Sequence, residues 1–240
     1  MATDFAMLLQ RFLTSHLAGL RGASPNTITS YRDTFKLLII YLRDQNGIPP
    51  EKLSLNRVNV ETITGFLNWL ESNRQNSVST RNQRLAAISS FYTWVQSQEP
   101  ALMARCQDIM AIPIKKGAQA CVYHLTVEQT RCLLKTPDRT TRSGRRDATL
   151  LATLYDTGAR VQELVDLTVR NVRLQKPAVI TLTGKGRKTR HVPLGANTAT
   201  LLANYLTEFR LDMSGRDSYP LFFNQQHTKL SRGGVTWIIK

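Results

Sequence analysis

Residues 150–194 constrain the fold of this chain more than any other stretch. An apolar helical run beginning at Leu150 ends at Thr157-Gly158-Ala159-Arg160, and a second apolar stripe follows from Val161 to Leu167. Two strand-like runs then flank Gly184-Lys185-Gly186, where glycine on both sides of the lysine favours a tight turn. The order predicts two helical segments followed by a β-hairpin.

Two positions in this stretch carry charges that suit phosphate chemistry. Arg160 and Glu163 lie one helical turn apart, so they share a face and can pair. Lys185 lies in the turn of the predicted hairpin. One fixed guanidinium and one mobile ammonium are what a protein needs to bind and protonate a phosphodiester.

These residues resemble the first half of the catalytic domain of the tyrosine site-specific recombinases, the phage integrase family, in its Xer-like branch. The TG-x-R-x-x-E-L box of the family matches Thr157, Gly158, Arg160, Glu163 and Leu164. Its G-K-G-x-K-x-R-x-V-P-L hairpin matches Gly184, Lys185, Gly186, Lys188, Arg190, Val192, Pro193 and Leu194. The resemblance implies that Arg160 stabilises a pentacoordinate phosphate, that Lys185 is the general acid, and that Glu163 orients Arg160.

The first part of the chain has the apolar period of helices. Helix starts are expected near Phe5, Ser24, Asn59 and Ser77, which predicts a four-helix bundle whose aromatic residues form the core. This part resembles the SAM-like core-binding domain of the same family. Its motifs match Ser24, Thr27 and Tyr31, and later Thr80, Asn82, Arg84, Leu85, Ala86, Ala87, Ile88, Phe91 and Tyr92.

The predicted fold class has two domains. An all-α, SAM-like bundle spans residues 1–112, a linker rich in Pro, Gly and Lys spans 113–120, and residues 121–240 form the second domain. The resemblance implies that this second domain is an incomplete recombinase catalytic domain of the α+β class, mostly helical with a small antiparallel sheet. Within it, Thr126 is expected to cap the first helix.

The charge of the chain points to a polyanionic partner. The net charge is +15, and residues 113–240 alone carry 21 Lys and Arg against 9 Asp and Glu. Double-stranded DNA is favoured over a membrane, because no basic amphipathic helix, lipidation motif or apolar span is present. Arg81 and Arg84 are candidate DNA contacts, although exposed helix arginines are usually solvated, and for Arg142 and Arg145 a phosphate-contacting loop and an exposed turn are about equally favoured. The further candidate DNA contacts are Lys115, Lys116, Arg187 and Lys188.

The sequence predicts neither a metal site nor a cofactor. The three cysteines, Cys106, Cys121 and Cys132, are widely spaced without a C-x-x-C pair, and the four histidines are isolated. The cysteines are therefore expected to be buried or free thiols in a reducing compartment. No signal peptide precedes the first helix, so the expected location is cytoplasmic and nucleoid-associated.

The resemblance implies a reaction, and it also implies that part of the catalytic domain is missing from this sequence. In the family a tyrosine attacks DNA to give a 3′-phosphotyrosyl link, and an H-x-x-R box and that tyrosine follow the hairpin. Neither follows Lys240, so we expect a truncated, inactive form of a recombinase or integrase that works as a tetrameric synapse on DNA. The alternative is a non-catalytic DNA-binding regulator on the same scaffold, and an RNA-binding helical protein is the weakest interpretation.

Overall fold

The computed structural model describes residues 3–117 and 124–239, which form two compact units with separate hydrophobic cores. The end of the predicted linker (118–120), the predicted start of the second domain at residue 121, and Cys121 lie outside the described residues. The predicted fold class, a helical bundle followed by a mostly helical unit with a small antiparallel sheet, is confirmed.

The first unit is a bundle of helices. α1 (Asp4–Arg11) continues directly into a π-helix (Phe12–Leu20), and α2 (Pro25–Asn46), α3 (Val60–Ser72), α4 (Val78–Gln98) and α5 (Met103–Met110) follow. Short 3-10 turns lie at Pro50–Lys52, Leu55–Arg57 and Pro100–Leu102.

Three of these helices begin where the sequence predicts, because a side chain caps each first turn. The oxygens of Ser24, Asn59 and Ser77 accept hydrogen bonds from the backbone N–H groups three residues later, at 3.2, 2.9 and 3.2 Å. These bonds satisfy N–H groups that have no partner inside the helix.

The aromatic residues of the first unit form its core, as predicted from their helical period. The ring of Phe91 lies 5.7, 5.3 and 5.1 Å from the rings of Phe5, Phe12 and Phe35. α5 was not predicted. It has only eight residues, of which Cys106 and Ile109 are buried, and so short an element gives a weak periodic signal.

Arg81 and Arg84, two candidate DNA contacts, are used inside the bundle. The side chain of Arg81 is buried and donates to the Pro113 carbonyl oxygen at 3.3 Å. Arg84 donates to the Ser30 carbonyl at 2.8 Å and to the Thr34 hydroxyl at 3.0 Å, which ties α4 to α2. These bonds engage part of both guanidinium groups within the bundle, and the role of Arg81 and Arg84 as DNA contacts stays a prediction.

Residues 113–117, the first five of the eight residues of the predicted linker, pack against the bundle. Besides the Arg81 bond to Pro113, the backbone N–H and C=O of Lys115 both bond to the Asn82 side chain, at 3.1 and 2.8 Å. The Lys115 ammonium pairs with Glu71 at 2.9 Å. The absence of periodicity signalled a non-helical segment but did not reveal these side-chain partners.

The second unit combines five α-helices, two 3-10 turns (Val169–Asn171 and Lys185–Arg187) and three strands within residues 124–239. The α-helices and strands are, in order, α6 (Val127–Lys135), α7 (Arg142–Thr157), α8 (Val161–Val165), β1 (Val172–Arg173), β2 (Val179–Thr183), β3 (Thr189–Pro193), α9 (Ala196–Glu208) and α10 (Arg232–Ile239). α6 begins as predicted with a capping box, in which the Thr126 hydroxyl and the Gln129 side chain each bond the other residue's backbone N–H.

The strands form one antiparallel sheet in the order β1-β2-β3. In β2, Ile180 and Leu182 are fully buried, and the register pairs them with Val192 and Arg190 of β3. One face of the hairpin therefore packs on the core that also contains Leu164 of α8. Within the described residues, none of the helices combines the length and apolarity that a membrane crossing requires.

Candidate functional site

The site begins where α7 ends. Gly158 adopts the left-handed conformation at φ 57°, which terminates the helix without the steric cost that a side chain would carry. The Thr157 hydroxyl accepts from the Ala159 N–H at 3.3 Å and donates to the Thr153 carbonyl at 2.6 Å. The chain then turns, and Arg160 is the N-cap residue of the short helix α8. The Thr-Gly-Ala-Arg sequence thus fixes the backbone of Arg160.

Glu163 binds Arg160 in two ways. Its Oε2 accepts from the Arg160 backbone N–H at 3.0 Å, and its Oε1 accepts from Arg160 Nη1 at 2.9 Å. The predicted pairing of these residues is therefore confirmed. The Glu163 side chain is only 4% exposed, whereas that of Arg160 is 74% exposed. The carboxylate is thus buried beneath a guanidinium that remains accessible.

A second arginine, Arg190 on β3, completes the surroundings of Glu163. Arg190 Nη1 donates to Oε1 at 3.1 Å, and Nη2 donates to Oε2 at 2.7 Å. This two-pronged geometry is the strong form of an arginine–carboxylate interaction. We did not predict Arg190 as a site residue. The alternation of side chains along a strand is a sequence signal for it, because it places Arg190 on the same partly buried face of β3 as Val192.

Both arginines act on the protonation of Glu163. The hydrogen bonds from Arg190 have the largest effect, and those from the Arg160 backbone and side chain add to it. Together they lower the pKa of the Glu163 carboxyl to about 2, although burial acts in the opposite direction. Glu163 is therefore an anion throughout the neutral range, between two cations.

The β2–β3 hairpin places its turn beside this carboxylate. The Gly184 N–H donates to the Lys188 carbonyl at 2.8 Å, which closes the turn. A Cβ at Gly184 would lie 2.7 Å from Glu163 Oε1 and 3.7 Å from Arg160 Nη1, so the hairpin approaches as closely as glycine permits. Lys185 follows at once and is exposed in the turn. The two sequence boxes therefore meet in one place.

The remaining basic candidates in the second unit differ in their surroundings. Arg187 and Lys188 are exposed in the hairpin turn. Arg142 is exposed at the start of α7, with its guanidinium 4.4 Å from the centre of the Phe209 ring. Arg145 instead donates hydrogen bonds to the Glu208 carboxylate through Nε and Nη2, at 2.7–3.0 Å. Its Nη1 donates to two backbone carbonyls. The donors of Arg145 are therefore engaged within the fold, and its role as a DNA contact stays a prediction.

In the first unit, Lys115 and Lys116 differ in the same way. The Lys115 ammonium is paired with Glu71 at 2.9 Å, and its role as a DNA contact stays a prediction. Lys116 is exposed. Of the eight predicted DNA contacts, the exposed ones without a described carboxylate partner are Lys116, Arg142, Arg187 and Lys188.

Comparison with protein families gives two matches. Residues 124–240 match the model described as the phage integrase family, and residues 9–99 match the one described as the phage integrase N-terminal SAM-like domain. Among curated proteins, the chain is 35% identical to the putative integrase/recombinase y4rD of Sinorhizobium fredii, covering 98% of this chain and 83% of that protein. It is 32% identical to the tyrosine recombinase XerD of Staphylococcus epidermidis, covering 92% of this chain and 72% of XerD.

Solved structures share the fold. The XerH site-specific recombinase in its post-cleavage complex with a palindromic difH substrate superposes with a TM-score of 0.68 at 23% identity, covering 95% of this chain. A Tn1549 transposon integrase in complex with transposon right-end DNA has a TM-score of 0.68 at 12% identity. The chain spans 66% of that XerH chain and 74% of that integrase chain.

Proposed function

This chain belongs to the phage integrase family of tyrosine recombinases, and on that premise we propose that it supplies Arg160 and Lys185 to the site-specific cutting and rejoining of DNA. The observation that carries the proposal is the contact between the two boxes: Gly184, next to Lys185, lies against the Glu163 carboxylate that holds Arg160. A fixed guanidinium and an ammonium on a turn are thereby brought to one exposed surface.

In the proposed reaction, a tyrosine hydroxyl attacks the scissile phosphorus while the bond from phosphorus to the 5′-oxygen breaks. The tyrosine gives up its proton to solvent, and Lys185 protonates the departing 5′-oxygen, which leaves a 3′-phosphotyrosyl link and a free 5′-hydroxyl. Arg160 stabilises the negative charge on the pentacoordinate phosphate. The phosphotyrosyl bond retains the energy of the broken phosphodiester, so rejoining is the reverse attack by a 5′-hydroxyl.

We assign the nucleophile to neither Tyr92 nor Tyr205, two of the three tyrosines that are buried among the described residues. The hydroxyl of Tyr205 donates to the Leu221 carbonyl at 2.7 Å, and Tyr92 is fully buried in the bundle. Burial raises the pKa of both phenols, which makes ionisation to the attacking phenolate harder. The nucleophile must be a tyrosine with an accessible hydroxyl.

The exposed basic residues supply the proposed DNA contacts. Arg187 and Lys188 stand beside Lys185 in the hairpin turn, where phosphate contacts would hold the backbone of the duplex against the site. Arg142 and Lys116 are further candidates on their respective units. We expect the whole protein to act as a homo-oligomer on DNA, because recombination joins two duplexes, each cut on both strands.

The proposal is tested by capturing covalent adducts. The product of the whole open reading frame is incubated with a random pool of nicked duplexes, from which cleaved strands cannot be rejoined, and is resolved on a denaturing gel. We expect a protein–DNA band that disappears in Arg160→Ala, and the trapped DNA to share a sequence. Specific duplex binding without any adduct would instead favour a non-catalytic regulator.

A further inference from the structure

Arg190 has no part in the proposed reaction, yet its guanidinium is bound to the Glu163 carboxylate within the site. It lies on β3 opposite Leu182 of β2, one pair from the last pair of the hairpin, Thr183 with Thr189. Its two donors engage both oxygens of Glu163, at 3.1 and 2.7 Å. Its contact is therefore made close to the turn that contains Lys185.

The Glu163 carboxylate joins two separate segments of the chain. On one side it holds Arg160, through the backbone N–H and through Nη1. On the other side it holds the end of the hairpin, through Arg190. Loss of Arg190 would leave both bonds to Arg160 in place and would remove the attachment of the hairpin alone.

Apart from the close approach of Gly184 to Glu163, the backbone hydrogen bonds of the hairpin turn are internal to it. Lys185, Gly186 and Arg187 are exposed, and the turn is closed internally by the bond from Gly184 to Lys188. A general acid that is displaced by about 1 Å from the productive geometry can lose about 10²-fold in rate. The position of the ammonium therefore depends on where the end of the hairpin is held.

We propose that Arg190 is a positioning residue that anchors the β2–β3 hairpin on Glu163 and so places Lys185 beside Arg160. The inference rests on the proposed function for its chemical consequence, while the anchoring itself does not. The planar fork of arginine matches the two oxygens of a carboxylate, whereas the single ammonium of lysine cannot bind both in the same way. Arg190→Lys should therefore anchor the hairpin less firmly than wild type but more firmly than Arg190→Gln.

The anchor is tested first in the 240-residue chain, without DNA. Amide hydrogen exchange is followed for residues 183–189 in the wild type, in Arg190→Gln and in the control Arg173→Gln. Arg173 is an exposed arginine of β1 in the same sheet that donates to the Pro177 carbonyl. We expect exchange in the turn to rise about tenfold in Arg190→Gln, because local opening becomes easier, and to stay unchanged in Arg173→Gln. Equal protection in wild type and Arg190→Gln overturns the proposal.

The consequence for Lys185 is tested with the product of the whole open reading frame and two substrates. One has an ordinary scissile phosphate, and the other has sulfur in place of the bridging 5′-oxygen. A thiolate leaves without a proton, so the sulfur substrate does not need a general acid. Arg190→Gln should cleave the ordinary substrate about 10²-fold more slowly and recover most of that loss with sulfur, as Lys185→Ala should. Arg160→Ala should show no such recovery.

The outcomes separate the two proposals. A folded Arg190→Gln variant that is equally slow with both substrates, or as fast as wild type with both, overturns the role of Arg190. If Arg190→Gln does not fold, Arg190→Lys must show a partial defect that sulfur relieves. A wild-type protein that forms no adduct with any duplex contradicts the proposed function, and the hydrogen-exchange result then decides on the anchor alone.

Discussion

The guanidinium of Arg190 on β3 holds both oxygens of the Glu163 carboxylate on α8, which lies 27 residues earlier in the chain. With the two bonds from Arg160, the carboxylate accepts four hydrogen bonds. A buried anion needs such partners, because its desolvation is not otherwise offset. The ion pair of Arg190 with Glu163 therefore contributes both to the stability of the second unit and to the arrangement of its site.

The first prediction concerns acid stability. In the folded chain Glu163 stays ionised down to about pH 2, whereas in the unfolded chain it takes up a proton near its ordinary pKa of 4.5. The unfolded state therefore binds more protons as the pH falls from 4.5 towards 2, and the free energy of unfolding must decrease over that range. Glu163→Gln should remove this part of the pH dependence. Urea unfolding at a series of pH values measures it.

At neutral pH the same substitution should lower the free energy of unfolding by about 1.5–3 kcal/mol, the range for hydrogen bonds to charged groups. Glu128→Gln is the matched control, because Glu128 is exposed in the first turn of α6. It should change neither the stability nor its pH profile appreciably. A Glu163→Gln profile parallel to that of wild type below pH 4.5 would contradict the role given to the ion pair.

The second prediction concerns the close approach of Gly184 to Glu163. A methyl group at Gly184 would lie 2.7 Å from Glu163 Oε1, so Gly184→Ala must displace the carboxylate or the hairpin. Its φ of −103° is open to alanine, so the cost is steric contact and not backbone strain. We expect a loss of stability that largely disappears when Glu163 is also replaced by alanine. A double-mutant cycle by urea unfolding measures this coupling.

Gly186 provides the matched control within the same turn. It has a φ of 74°, and a Cβ added there would have no neighbouring atom within 4 Å, so Gly186→Ala costs backbone strain only. Its effect should be additive with Glu163→Ala. If Gly184→Ala is additive as well, the hairpin does not approach the carboxylate as closely as described.

Much of this architecture follows from local sequence signals. Ser24, Asn59 and Ser77 mark helix starts because capping depends on residues only three positions apart. The hairpin around Gly184-Lys185-Gly186 follows from strand alternation on both sides of a glycine turn. The pairing of Arg160 with Glu163 follows from helical spacing.

Contacts between distant segments leave no such local signal in the sequence. Whether an arginine faces DNA or a carboxylate depends on which helices meet, so Arg81, Arg84 and Arg145 looked like Arg142 in the sequence. In the structure Arg145 donates hydrogen bonds to Glu208, 63 residues away, and Arg84 donates one to Ser30, 54 residues away. Arg190 was overlooked as a site residue for the same reason, since its partner lies on another element.

The third prediction separates binding from chemistry at Arg160. Its side chain is 74% exposed and fixed by Glu163, so its charge is available to a phosphate. A charge that matters most in the transition state affects cleavage more than binding. In the product of the whole open reading frame, Arg160→Ala should therefore cleave about 10²–10³-fold more slowly and retain most of the DNA affinity. Single-turnover cleavage and a filter-binding titration measure the two effects. Equal losses in both would mean that Arg160 only binds the duplex.

The last prediction concerns the salt dependence of DNA binding. Residues 113–240 carry 21 basic against 9 acidic residues, so the duplex affinity of the 240-residue chain should fall steeply as salt rises. Arg187→Ala and Lys188→Ala, which remove exposed charges, should each lower the slope of log affinity against log salt by about 1. Arg145→Ala is the control, because its guanidinium is bound to Glu208 and should release no counterion from DNA. A salt series for each variant, on one duplex, gives the slopes. If Arg145→Ala lowers the slope as much as the hairpin variants do, ion pairing within the fold does not decide which arginines reach the phosphates.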